Sequence, residues 1–223
     1  MRGNKASIDE GLNVAVYAEL RRRLVTGRMC PGHELSTRGL AAELGVSQTP
    51  VRDALSRLAA EGAVAIRSKR RVQVPEMTAE RFDDMLRCRL LLEPEAAVRA
   101  LPHIDAARLQ SLRDIDAALD RTIAERDADG YMSNNHAFHF TLYSAQPGRT
   151  MAQLIETLWL QFGPFMRLVY EGLSGAPVND QHQAAIGAIV AGDEEALRRA
   201  IAADIADGMG LISRHGFATG RAP

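Results

Sequence analysis

The chain has 223 residues, a formal net charge of -1, 46% hydrophobic residues and 25% charged residues. This composition is typical of a folded globule with a real core, and it excludes disorder as the default state. Residues 1–75 carry 13 Lys and Arg against 7 Asp and Glu, a balance of +6, whereas residues 76–223 carry 14 against 21, a balance of -7. This asymmetry favours two domains, of which the basic one meets a polyanion.

The sequence also excludes several environments. It has no run of about 18 apolar residues, and its polar N-terminus is unlike a secretory signal, so we expect a cytoplasmic protein with no membrane partner. Cys30 and Cys88 form no CxxC motif, which argues against a zinc knuckle or a redox pair. We expect both to be buried thiols.

The basic part predicts three helices and a hairpin. Apolar residues recur every four positions over 12–24, which predicts the first helix. Ser36 can cap a second helix that ends at Gly45, and Ser47 can cap a third that closes at Gly62. Alternating apolar residues on both sides of the basic run 67–71 then predict a two-stranded hairpin with a cationic tip.

The remainder of the chain predicts six helices. Their expected ranges are 78–99, 105–126, 130–145, 150–170, from Asn179 or Asp180 to Gly192, and 193–214. The predicted fold is therefore mainly α, with an N-terminal winged helix-turn-helix, a small β-hairpin wing and a C-terminal antiparallel all-α bundle. The expected boundaries are a DNA-binding domain at 1–75, a linker at 76–78, the helical domain at 79–214 and a loose tail at 215–223.

The third helix is the candidate recognition helix. Ser47 at its start places a hydroxyl and free N–H groups where a phosphate would bind. Gln48, Thr49 and Arg52 lie on its first exposed turn, where Arg can bind guanine and Gln can bind adenine in the major groove. The alternative is a solvated basic face without a DNA partner.

The run from Leu40 to Gly62, LAAELGVSQTPVRDALSRLAAEG, resembles the operator-binding signature of the GntR superfamily of bacterial repressors. The resemblance implies double-stranded operator DNA as partner. The positions it assigns to DNA contact are Arg38, Gln48, Thr49 and Arg52. The family usually has Arg where this chain has Gln48, which implies a changed base preference. Its wing commonly ends in Arg-Gly, whereas Lys69, Arg70 and Arg71 here add charge for phosphate contact and remove the glycine.

Four polar residues of the helical part form a candidate metal site. Asn135 and His139 are four positions apart and hence on one helix face. His182 and Asp204 are each about 15 Å from the turn at Gly192, on the two helices that flank it, and so lie at one level. Their donor set suits zinc, nickel, manganese or iron. The alternative is that all four are ordinary polar side chains.

The second part of the chain resembles the FCD ligand-binding domain of the FadR subfamily. The resemblance rests on RLLLEPEAA at 89–97, NHAFH at 135–139 and the segment 182–193, and it covers nearly all of residues 10–213. In the metal-binding branch of that family the ligands are an Asp or Asn and then three His. Asp204 stands where the last His is expected, which implies a weaker site, a harder metal preference or an empty site.

The same resemblance implies a small organic acid effector, whose carboxylate often completes the coordination of the metal. Arg89 is the candidate for a bidentate contact with that carboxylate. The alternative for Arg89 is an ion pair with Glu93, four residues on. Tyr143 and Trp159 are candidates to line the effector pocket, although aromatics at helical spacing are commonly core.

Together these features predict a ligand-responsive transcriptional regulator, a repressor that acts as a homodimer on a palindromic operator. HExxH, P-loop, GxGxxG and GxSxG motifs are absent from the sequence, so we expect no enzyme activity. Two alternatives stay open. One is a metal-dependent enzyme fused to a nucleic-acid module, and the other is a constitutive DNA-binding protein whose helical domain only dimerises.

Overall fold

A computed structural model describes residues 2–68, 71–173 and 181–216, and these form a mainly α-helical chain with a small antiparallel sheet, as predicted. The N-terminal elements are α1 (Arg2–Val25), β1 (Glu34–Ser36), α2 (Thr37–Leu44), α3 (Gln48–Ala60), β2 (Ala65–Ser68) and β3 (Arg71–Gln73). The helices that follow are α4 (Ala79–Ala100), a short 3-10 helix (Leu101–His103), α5 (Ala106–Ala124), α6 (Ala128–Tyr143), α7 (Thr150–Leu173), α8 (Gln181–Ala191) and α9 (Glu194–Gly216).

Local hydrogen bonds set most of the helix ends. The predicted cap of α2 by Ser36 is present, and Thr78 and Asp105 cap α4 and α5 in the same way. Gly45 ends α2 with a φ of +67°, a left-handed conformation that glycine adopts without strain. Ser47 occupies the N-cap position of α3, but its side chain makes no capping hydrogen bond, so the predicted cap is wrong in that respect.

The wing differs from the predicted two-stranded hairpin. The sheet has three strands in the order β1-β3-β2, because Glu34–Ser36 pairs antiparallel with Arg71–Gln73. A strand of three residues has too little alternation to be predicted from sequence. Likewise α1 begins ten residues before the predicted start. The predicted wing-tip residues Lys69 and Arg70, the start of α8 at Asn179 or Asp180, and the tail from residue 217 lie outside the described residues.

Two hydrophobic cores hold the described elements together. The first joins α1, α2, α3 and the sheet, and it includes Leu20, Leu58 and Val72. The second fills the bundle of α4 to α9 and includes Phe138. Leu160 of α7 belongs to the first core although its helix belongs to the bundle. One helix therefore contributes to the cores of both parts of the molecule.

α1 and α7 cross at very short range. A Cβ added at Gly163 would lie 2.6 Å from the carbonyl oxygen of Leu24 and 2.7 Å from the Cα of Val25. Polar contacts flank the crossing, since Gln161 Nε2 donates to the carbonyl oxygen of Glu61 at 3.0 Å. The two backbones therefore leave no room for a methyl group between them.

Two expectations about the environment of the chain have different outcomes. Cys88 is partly buried, but Cys30 is exposed, so the prediction of buried thiols is wrong for Cys30. The cause is its position in the surface loop that follows α1. Among the helices of the described ranges, none is both long enough and apolar enough to span a membrane.

We expect Gly163→Ala to destabilise the protein by about 1–3 kcal/mol, because the new methyl group overlaps backbone atoms that can move only if the α1–α7 crossing opens. Urea unfolding followed by circular dichroism measures the change. Gly187→Ala on α8 is the matched control, because nothing lies within 4 Å of its added Cβ. We expect it to be neutral or to stabilise by up to about 1 kcal/mol. Equal stabilities of the two variants would contradict the close crossing.

Candidate functional site

The first turn of α3 presents the predicted base-reading residues to solvent. Gln48, Thr49 and Arg52 are all exposed, as are Arg38 on α2 and Ser47 before α3. Arg52 Nη2 donates to Gln48 Oε1 at 3.1 Å, so the two long side chains are aligned on one helix face. Both side chains are exposed, so their other N–H groups can bind base edges.

The wing lies beside this helix in the N-terminal part. Arg71 begins β3 and is exposed, with its guanidinium 3.3 Å from Glu34 Oε2 of β1. A surface pair of this kind contributes little to stability, so Arg71 can exchange Glu34 for a phosphate at small cost. Lys69 and Arg70, the other two predicted phosphate contacts, lie outside the described residues.

Three of the four candidate metal ligands meet inside the bundle. His139 comes from α6, His182 from α8 and Asp204 from α9, and one ligand atom of each lies within 4.8 Å of the others. His139 Nε2 is 3.2 Å from Asp204 Oδ2, and His182 Nε2 is 3.7 Å from Asp204 Oδ1. Asn135 lies one helical turn before His139 and is also buried. The antiparallel pairing of α8 and α9 therefore brings His182 and Asp204 to one level.

The charge of this centre is set by its surroundings. Burial by itself raises the pKa of the Asp204 carboxyl, but the close contact with His139 and the nearby His182 lower it to about 2. Asp204 is thus held as a carboxylate at neutral pH. A carboxylate that faces two imidazole nitrogens brings several electron-pair donors together in a largely buried part of the bundle.

The residues present fit a divalent metal ion. The Nε2 atom of His139 is buried and has no hydrogen-bond partner of good geometry among the described residues, which is costly unless another group binds it. Two imidazole nitrogens and a carboxylate oxygen are common ligands of zinc, nickel, manganese and iron. The two distances to Asp204, 3.2 Å and 3.7 Å, are close to the separation of two ligands around an ion with metal–ligand bonds of about 2.1 Å.

The candidate effector residues surround one buried carboxylate, that of Glu93. Arg89 Nε donates to Glu93 Oε1 at 2.6 Å, which is the ion pair held open as the alternative for Arg89. The Tyr143 hydroxyl donates to Glu93 Oε2 at 3.0 Å, and Trp159 Nε1 donates to the same atom at 3.2 Å. All four side chains are buried. The polar atoms of the three predicted effector residues are therefore engaged within the protein.

Sequence reasoning missed one residue of this centre, Asp116 on α5. Its Oδ1 lies 3.2 Å from Nδ1 of His182, and its carboxylate also accepts a short hydrogen bond from Gln183. Asp116 is buried between Leu112 and Leu119 of the same helix. An acidic residue inside an apolar stripe is costly without a partner, and this was the available signal.

A winged helix-turn-helix with an exposed basic turn, joined to a helical bundle, defines a DNA-binding transcriptional regulator. Residues 12–74 match the model of the bacterial regulatory proteins of the gntR family, and residues 84–207 match that of the FCD domain. The chain therefore belongs to the GntR family of transcriptional regulators, in the FadR-like subfamily that carries an FCD domain.

Several known regulators are similar along most of the chain. The HTH-type transcriptional regulator McbR of Escherichia coli K12 is 28% identical over 194 residues, which cover 86% of this chain and 88% of McbR. The solved McbR structure has a TM-score of 0.85 at 27% identity, and covers 91% of this chain and 97% of that one. The gluconate operon transcriptional repressor of Bacillus subtilis 168 is 32% identical over 156 residues, 69% of this chain and 61% of that protein. These relatives are named as regulators and not as enzymes.

The ring of His136, next to the candidate ligand Asn135, predicts a pH dependence of stability. It stacks on Phe140 at 4.3 Å between ring centroids and contacts Trp159 edge-on at 5.4 Å. Burial, with smaller effects of His139 and Arg21, lowers the pKa of His136 from 6.5 to about 4. The unfolded chain therefore binds a proton between these pH values that the folded chain does not bind. The contribution of the neutral His136 ring to stability is complete above pH 6.5 and is lost as the pH drops towards 4.

We expect His136→Phe, which keeps the aromatic packing, to lose less stability than the parent protein between pH 7 and pH 4.5. The difference should be about 2–3 kcal/mol, and urea unfolding at each pH measures it. His103→Phe, at an exposed histidine of the 3-10 helix, is the control for the change of residue type. If parent and His136→Phe proteins lost stability in parallel, His136 would not be the group responsible.

Proposed function

We propose that this protein is a transcriptional repressor whose operator binding is modulated by a small organic acid, bound together with a divalent metal in the helical domain. It acts in the cytoplasm as a homodimer, and the two-fold symmetry of the dimer matches a short palindromic operator. The observation that carries the proposal is the convergence of His139, His182 and Asp204 from three helices, in a chain whose other domain is built to bind DNA.

Operator recognition is assigned to α3 and the wing. Arg52 and Gln48 enter the major groove and contact base edges, with Thr49 beside them. Arg38, Ser47 and the wing residues Lys69, Arg70 and Arg71 contact phosphates and set the register on the duplex. The hydrogen bond between Arg52 and Gln48 supports this division, because it holds both side chains on the face that would meet the bases.

The effector site is assigned to the metal centre. Asn135, His139, His182 and Asp204 would hold the ion, which leaves coordination positions for a carboxylate of the organic acid. Zinc, nickel, manganese and iron all suit this donor set. Because Arg89, Tyr143 and Trp159 are engaged by Glu93, we assign them to the inner wall of the effector pocket and not to direct contact with the acid.

The response to effector is assigned to α7. Trp159 of this helix touches the Glu93 network, and the next residue, Leu160, lies in the core of the DNA-binding part. An acid that binds one position of α7 more tightly than another shifts the relative position of the two recognition helices in the dimer. Release from the operator is the proposed outcome, in keeping with a relative that is named as an operon repressor.

We expect Arg52→Ala and Arg71→Ala to weaken operator binding in different ways. Loss of Arg52 should cost about 1–3 kcal/mol on the operator and reduce sequence preference, because a base contact is removed. Loss of Arg71 should weaken binding to all duplexes alike. It should also reduce the slope of the logarithm of the binding constant against the logarithm of the salt concentration by about one, because one phosphate contact is removed.

Fluorescence anisotropy at about 150 mM salt makes this comparison, with duplexes from the region upstream of the gene and a scrambled duplex of equal length. Arg99→Ala is the matched control, because Arg99 is an exposed arginine of the bundle that pairs only with Glu95 among the described residues. A parent protein without preference between the two duplexes would refute the specific operator.

We expect purified parent protein to contain about one divalent metal per chain by elemental analysis. His139→Ala and His182→Ala should lose the metal, since each removes a ligand, whereas His103→Ala at an exposed position should keep it. A screen of small organic acids by thermal unfolding then identifies the effector, because a ligand of the folded state raises the midpoint temperature.

The same measurements separate the two alternatives. Chemical turnover of a stabilising acid would indicate a metal-dependent enzyme. A helical domain that only dimerises would be indicated by a different result. The protein would then contain no metal, and His139→Ala and His182→Ala would change neither its stability nor its release from the operator. Stabilisation by an unchanged acid, together with release of the operator duplex, is the result expected for the repressor.

A further inference from the structure

The ring of His139 is oriented by a chain of hydrogen bonds that leads away from Asp204. Its Nδ1 lies 2.9 Å from the Tyr143 hydroxyl oxygen, and that hydroxyl donates to Glu93 Oε2 at 3.0 Å. Glu93 is paired with the Arg89 guanidinium and accepts from Trp159 as well, so both of its oxygens act as acceptors. The single hydroxyl hydrogen of Tyr143 is therefore used toward Glu93, and its oxygen accepts from His139. This arrangement requires the proton of His139 on Nδ1.

The ring of His182 is oriented in the same sense by a different helix. Its Nδ1 lies 3.2 Å from Oδ1 of Asp116, a carboxylate that can only accept a hydrogen bond. Phe138 stacks on the ring at 3.9 Å between centroids with a 17° angle between the planes, which fixes the plane of the imidazole. The proton of His182 is thus also directed to Nδ1, away from the centre of the site.

Both Nε2 atoms then carry lone pairs and face the carboxylate of Asp204, at 3.2 Å and 3.7 Å. Three electron-pair donors that converge in a largely buried place repel one another unless a positive charge lies between them. A cation that accepts all three lone pairs removes the repulsion, and a histidine that donates its other N–H to a carboxylate binds metal more strongly.

We infer that Asp116 and the Tyr143–Glu93 pair are positioning residues of the metal centre, which fix the Nδ1–H tautomers of His182 and His139 so that both Nε2 atoms bind the ion. The inference extends the proposed function and rests on the divalent metal proposed there. It assigns Tyr143 to the support of a ligand, and it gives a role to Asp116, a buried acid that the DNA-binding and effector assignments leave unused.

The experiment has two parts, and the first needs no metal. Protein labelled with 15N-histidine is made metal-free at pH 7.5, and long-range 1H–15N spectra report which ring nitrogen of each histidine carries the proton. Spectra of His139→Ala and His182→Ala assign the two rings. We expect Nδ1 of both rings to carry a proton, whether the ring is neutral or an imidazolium that also faces Asp204. Tyr143→Phe should change the spectrum of His139 alone, and Asp116→Ala that of His182 alone.

The second part measures affinity for Zn²⁺ alone by competition with a chelator. Tyr143→Phe and Asp116→Ala should each bind about 10–100-fold more weakly than the parent protein. Asp116→Asn should lie between Asp116→Ala and the parent, because its amide oxygen can still accept from Nδ1–H. The Co²⁺-loaded proteins add a spectroscopic readout, since a displaced imidazole changes the visible absorption of the ion.

Tyr17→Phe is the matched control. Tyr17 also donates its hydroxyl to a carboxylate, Glu61 at 2.5 Å, but it does so in the DNA-binding part. It should lose less stability than Tyr143→Phe, because Tyr17 is only partly buried, and it should keep the affinity for Zn²⁺. Thermal unfolding of every metal-free variant shows whether it is folded, and the Zn²⁺ affinity of Asp116→Asn serves if Asp116→Ala does not fold.

The outcomes separate this inference from the proposed function. Nε2–H tautomers in the parent protein, or unchanged Zn²⁺ affinity in both folded variants, would overturn the inference even if the protein binds metal. Nδ1–H tautomers in a protein that binds no Zn²⁺, Ni²⁺, Mn²⁺ or Fe²⁺ would refute the metal in the proposed function while supporting the hydrogen-bond positioning of the two rings.

Discussion

The bundle depends on one buried carboxylate, that of Glu93. It is fully buried, and it accepts hydrogen bonds from Arg89 of its own helix, Tyr143 of α6 and Trp159 of α7. A buried charge without partners costs several kcal/mol, so the three donors must stay within reach for the fold to be stable. The Arg89 guanidinium also packs on the rings of Trp159 and Phe162, at 4.9 Å and 4.8 Å. The relative positions of α4, α6 and α7 follow from this requirement.

The same carboxylate connects the candidate site to the rest of the molecule. On one side, Tyr143 links it to His139. On the other side, Trp159 links it to α7, where Leu160 enters the neighbouring core and Gly163 meets the backbone of α1. Close-packed contacts of this kind do not deform gradually, so a displacement at the site must be carried by α7 as a unit. Through α7, the fold thus connects the candidate metal centre to the core of the DNA-binding part.

Much of the fold could be predicted because the signals are local. A cap such as Ser36 or Asp105 acts within a few residues of its own helix, and helix start and stop signals divide the chain from α4 to α9 into its helices. The level shared by His182 and Asp204 followed from helix rise and one tight turn. The third strand of the wing could not be predicted, because its pairing with β3 is a contact between residues far apart in sequence.

By itself, the sequence determined the class of fold, the exposed face of α3 and the polar residues available to a metal centre, because each depends on spacing along one helix or across one turn. The tertiary structure alone decided which partner each polar group has. In the tertiary structure Tyr143 and Trp159 both donate to Glu93, and Asp116 lies beside His182. Such choices arise where helices distant in sequence pack together, since a buried donor or acceptor must take whatever partner the packing brings within reach.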